Sequence, residues 1–74
     1  MRLKQLARSV SESRGMIHQL NLRGLRNYIK WTEEAELVEQ AMEIDEAELL
    51  RALWEAGLSS GLQEVVLEKL KKSK

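Results

Sequence analysis

Residues 48–74, ELLRALWEAGLSSGLQEVVLEKLKKSK, read as a helix, a Gly-Leu-Ser corner and a second helix. Leu49, Leu50, Leu53 and Trp54 recur at helical spacing and make one side of the first element apolar. Gly57 stands where a helix end wants a residue with φ > 0. Ser59 or Ser60 is placed to cap the second element, with Leu62, Val65, Val66 and Leu70 inward and a lysine tail at its negative end. The pair is an αα-hairpin.

Working upstream, Asp45 and Glu48 have the D-x-x-E spacing of a capping box, and Ile44 and Leu49 that of a hydrophobic staple. Thr32 opens a further helix with Glu33, Glu34 and Glu36 at its start, and Leu37, Val38, Ala41 and Met42 as its expected buried face. Leu3, Leu6, Ala7 and Val10 mark an amphipathic first helix, which Ser11 to Gly15 interrupt. Met16, Ile17 and Leu20 give a second apolar stripe. After Asn21, Leu22, Leu25 and Ile29 give a short third element ending near Trp31. The expected fold is all-α, four to five short helices, with an N-terminal helix-turn-helix, a helical bundle and the C-terminal hairpin. It forms one domain, 1–74, with a basic region 1–31 and an acidic core plus hairpin 32–74.

Composition narrows the function classes. There is no Pro and only four Gly, as a helical chain requires. With 74 residues and no Cys, neither disulfide nor thiolate metal site is available, so a second subunit is the expected way to complete a marginal core. A cysteine-free chain without signal peptide or membrane span is expected in the cytoplasm. One histidine, His18, makes no metal site by itself, and no cofactor is implied. No Gly-rich phosphate loop or paired carboxylate suggests an enzyme. The zero net charge conceals segregation. Residues 1–31 hold seven cations against Glu12, residues 32–57 hold nine acids against Arg51, and residues 58–74 hold four lysines against two acids. Either the basic end faces a polyanion or the two halves neutralise one another within the fold.

Residues 5–20, QLARSVSESRGMIHQL, carry the functional pattern. Two helices that cross steeply need a small residue at the contact, here Ala7, and apolar residues around it, here Leu6, Val10, Ile17 and Leu20; Ser13 falls at the cap of the second helix. This stretch resembles the Cro/repressor class of helix-turn-helix proteins, and residues 36–50, ELVEQAMEIDEAELL, are similar to a later helix of that class. In that register Ser11 is the turn residue with φ > 0. The resemblance implies base reading by Ser13, Arg14, Gly15, His18 and Gln19, with Arg14 and Gln19 able to bond guanine and adenine bidentately. It implies phosphate contacts by Lys4, Gln5, Arg23, Arg26 and Lys30. The final hairpin resembles the one by which Sin-type repressors and their antagonists pair, with Trp54, Leu58, Leu62, Val65 and Val66 as the dimer contact or else as part of the chain's own core. The expected function is a sequence-specific, repressor-like regulator of transcription that binds double-stranded DNA as a homodimer. The alternative is a protein-binding regulator, an anti-repressor or adaptor, whose hairpin holds another regulatory protein.

Overall fold

In the computed structural model, residues 2–72 are described; Met1, Ser73 and Lys74, the last counted in the basic tail, lie outside them. Five helices follow one another: α1 (Arg2–Glu12), α2 (Gly15–Trp31), α3 (Glu34–Met42), α4 (Ala47–Ala56) and α5 (Ser60–Lys72). The all-α reading holds, and no strand occurs among the described residues.

The core is built around α4, because α4 is apolar on more than one side. Leu49, Leu50, Ala52, Leu53 and Ala56 are all buried, and α1, α2 and α5 all pack on them. From α1, Leu3, Ala7 and Val10 point inward at i, i+4, i+7, one stripe of a helix. From α5 come Leu62 and Val66, and from α3 Leu37 and Ala41, with Ile44 closing the corner between α3 and α4. Among the described residues every buried one is apolar. Fully burying one such Leu or Ile side chain stabilises by about 1.5–3 kcal/mol.

Polar ties then fix the ends. The Gln40 side chain accepts the Leu3 backbone N–H at 3.0 Å, so α3 satisfies one of the orphan donors at the start of α1. Its amide also donates to the Tyr28 hydroxyl at 2.9 Å, which joins α2 to the same point. At the end of α4, Gly57 has the positive φ expected of it, 96°, and donates its N–H to the Trp54 carbonyl at 3.2 Å.

Four local expectations are corrected. The separate second and third elements are one helix, α2, of 17 residues; Asn21 donates to the Ser9 carbonyl at 3.3 Å instead of capping a new start. Ser11 lies inside α1, and the left-handed residue is Gly15 (φ 63°), four positions later. The Asp45–Glu48 capping box does not form, since α4 begins one residue later with Glu46 at its N-cap. Asp45 is drawn instead to Lys69, at 3.1 Å. The staple pair, Ile44 and Leu49, is nevertheless buried. Finally, Met42 is exposed rather than part of the buried face of α3.

Candidate interaction face on the second helix

The rotation of α2 about its own axis decides what the molecule offers to a partner. His18, Leu22, Leu25 and Ile29 lie at i, i+4, i+7, i+11 and face inward: Leu22 and Leu25 are buried, His18 and Ile29 half-buried. Polar contacts lock that rotation. His18 Nδ1 lies 3.0 Å from the Val10 carbonyl and Nε2 lies 3.0 Å from Glu55 Oε2. The hydrogen bond with Glu55 raises the His18 pKa above its ordinary 6.5, the Val10 carbonyl and the Glu55 charge add to the rise, and partial burial opposes it. Protonated, the ring donates at both nitrogens. Further along, Arg26 Nε donates to the Ala56 carbonyl at 3.0 Å, a cation on the negative end of α4.

The opposite side of α2 consequently carries what the core did not take. Met16 is 80% exposed, Ile17 64%, Leu20 61% and Trp31 80%. At about 3.6 residues per turn these four, with Gly24 and Asn27 among them, occupy one arc of roughly 100°. Beside it run Gln19, Arg23, Arg26 and Lys30, spaced i, i+4, i+7, i+11, all exposed. No Asp or Glu occurs between Gly15 and Trp31. Where the rows meet there is a dent of about 150 Å³, lined by Met16, Gln19, Leu20, Leu22, Arg23 and Arg26. The Lys30 ammonium sits 5.5 Å over the Trp31 ring, so the polar row closes against the apolar one at that end.

Only part of the expected DNA site is gathered. Arg14, Gly15 and Gln19 are exposed. Ser13 does not cap α2: its hydroxyl donates to the Val10 carbonyl at 3.2 Å, and the N-cap is Arg14, extended at φ −138° and without a side-chain cap bond. His18 is turned inward by its two bonds, away from the face a base would approach. Of the phosphate set, Arg23, Arg26 and Lys30 share the row on α2. Lys4 and Gln5 are on α1, where Lys4 lies 3.7 Å and Arg8 3.6 Å from the Glu46 carboxylate. That carboxylate is held below its ordinary pKa, first by its own backbone amide, with Lys4 and Arg8 contributing. Some of the basic end is therefore neutralised by the acidic half, as one of the two charge readings expected. Ile17 and Leu20, expected inside, are outside.

The hairpin residues divide between the two roles expected of them. Leu62 and Val66 are wholly buried in the chain's own core, because α5 needs them to close against α3 and α4. Leu58 and Val65 are half-buried against that core, and Trp54 is 45% exposed. The larger opening, an open groove of about 640 Å³ between Met42 and α5, mixes Asp45, Glu64 and Glu68 with Lys69 and Lys72 and so favours neither sign of charge.

Among the described residues no group of three or more His, Cys, Asp or Glu is placed to hold a metal ion, and no helix is long and apolar enough to cross a membrane. Set beside known proteins, the chain matches no family model, no curated sequence and no solved structure.

Proposed function

We propose that this chain is a small, non-catalytic regulatory module that binds a partner protein on the outer face of α2. One observation carries the reading: four large apolar side chains are held outward on a single face of one helix while fifteen other apolar residues fill the core. Met16, Ile17 and Leu20 cluster at one end of the face and Trp31 stands at the other. Clustered exposed apolar side chains rimmed by polar residues mark an interaction site more often than single scattered hydrophobes do. The inner contacts of α2 make the face rigid before a partner arrives, which lowers the ordering cost of binding. A cysteine-free composition supports a reducing, cytoplasmic setting.

The test is a photo-crosslinking amino acid in place of Asn27, between Leu20 and Trp31 on the exposed arc, in the cell that makes the protein. The expected result is a discrete protein adduct that disappears when Leu20→Asp is added. Adducts to DNA alone, or none at all, would overturn the proposal.

A second reading keeps the DNA-binding, repressor-like homodimer, and the acid-free row Gln19, Arg23, Arg26 and Lys30 favours it. Such a row suits a phosphate backbone, and binding would weaken steeply with salt as counterions are released. Retention on a random duplex at low salt, reduced by Arg23→Ala and Lys30→Ala, is the expected result of this second reading; no retention removes it.

A further inference from the structure

Resting on the protein-docking reading, we infer that the partner presents an acidic amphipathic helix, its apolar side on Met16, Ile17, Leu20 and Trp31 and one of its carboxylates in the dent beside Arg23 and Arg26. The spacing suits a helix laid along a helix. Ile17, Leu20, Gly24, Asn27 and Trp31 stand at i, i+3, i+7, i+10 and i+14, the repeat by which two helices keep a common seam, with apolar side chains at its two ends and Gly24 and Asn27 between them. From Met16 to Trp31 the seam runs about 22 Å at 1.5 Å per residue, so roughly four turns of a partner cover it. Gly24 leaves a gap midway: a Cβ built there meets nothing within 4 Å, and a partner side chain can enter between Leu20 and Trp31.

Charge selects among occupants. An antiparallel second copy on this face would bring Arg23, Arg26 and Lys30 against their own counterparts, and in either orientation α2 has no acid to answer them. A duplex would satisfy the cations but force four exposed apolar side chains against a hydrated, charged groove. An anionic membrane surface conforms to any apolar row and has no use for a 150 Å³ dent lined by residues that include Arg23 and Arg26. An amphipathic helix flanked by Glu uses the row, the gap, the dent and the cations together.

The probes are two designed helical peptides of about five turns with the same Leu/Ile seam, one flanked by Glu and the other by Lys, titrated into isotope-labelled protein and followed by NMR. The Glu peptide should shift Ile17, Leu20, Gly24 and Trp31 and bind at least about tenfold more tightly than the Lys peptide. Salt should narrow that difference. Arg23→Glu with Lys30→Glu should reverse the preference, and Leu20→Asp should abolish both. Leu20 and the two cations are exposed, so these variants should keep the fold, and far-UV circular dichroism checks it. Equal binding of both peptides, shifts centred on another helix, or tighter association with phosphatidylglycerol vesicles than with the Glu peptide would each overturn the inference. If neither peptide binds while the Asn27 crosslink still yields a protein adduct, the acidic-helix inference fails and the docking reading stands. If the crosslink also fails, both fall.

Discussion

Leu20→Ala and Leu25→Ala, made separately, test the rotation of α2 on which the whole interaction face depends. The two leucines sit on the same helix about 140° apart. Leu25 is fully buried and Leu20 is 61% exposed. Removing a buried leucine loses its transfer free energy and leaves a cavity, a cost of about 2–5 kcal/mol. Leu20 has only about two-fifths of its surface covered, so out of a full value of about 1.5–3 kcal/mol its truncation should cost about 1 kcal/mol or less. In urea, with a slope of about 1 kcal/mol per molar for so small a chain, Leu25→Ala should lower the midpoint by about 2 M or abolish the transition. Leu20→Ala should lower it by less than about 1 M. Far-UV circular dichroism reads both. In the register of residues 5–20 as a helix-turn-helix, Leu20 is core. A Leu20→Ala cost equal to that of Leu25→Ala would therefore refute the observed facing and restore that register.

The remaining predictions concern the turn, the imidazole and the hairpin. Gly15→Ala should destabilise by about 1–2 kcal/mol, because alanine must adopt a left-handed conformation, whereas Ser11→Gly should cost about 0.5 kcal/mol as a glycine inside α1; thermal melts that show Ser11→Gly stabilising would move the turn back to residue 11. The folded His18 pKa is raised, so its contribution to stability is fully present below the unfolded value of 6.5 and is lost as pH rises through the higher folded value. Melting temperature should fall across that window in wild type and stay flatter in Glu55→Gln, which removes the largest cause of the shift; parallel profiles would refute the coupling. Val66→Glu should abolish the cooperative fold rather than yield a folded single chain, since it buries an unpaired charge in the chain's own core. Sedimentation of a well-folded Val66→Glu monomer alongside a wild-type dimer would return the hairpin to the role of interface.

Much of the fold is legible in the sequence. The hairpin was legible because its signals agree: a single apolar stripe on each arm and a glycine at the one corner that needs φ > 0. The cap of α4 differs from the sequence reading because D-x-x-E is a purely local signal; the helix starts one residue later, and Asp45 lies against Lys69 of α5. Gln40, which ties α1, α2 and α3 together, left no local trace at all. Its partners are 37 and 12 residues away in sequence, beyond the reach of any spacing rule.

The candidate site turned on a subtler ambiguity. α2 carries two apolar stripes, one through Met16, Ile17, Leu20 and Trp31 and one through Leu22, Leu25 and Ile29, and a helix at the edge of the core, unlike α4 at its centre, can bury only one. Reading the first stripe as core forced a break at Asn21 and assigned His18 to solvent. Continuity decides the other way. The second stripe extends back through His18 without a gap over twelve residues, whereas the first is interrupted by Gly24, which has no side chain to pack. His18 is a poor core residue by composition, yet with a carbonyl on one nitrogen and a carboxylate on the other its polar atoms are satisfied and its ring closes the stripe. Once the second stripe is inside, the first cannot be. Its apolar side chains then stand largely exposed, Trp31 beneath the Lys30 ammonium, and the cations beside them have no acid on their own helix. The residues that made the sequence look like one kind of binding site thus describe another: a face left unsatisfied on both counts, complementary to a helix that is apolar on one side and acidic along its edge.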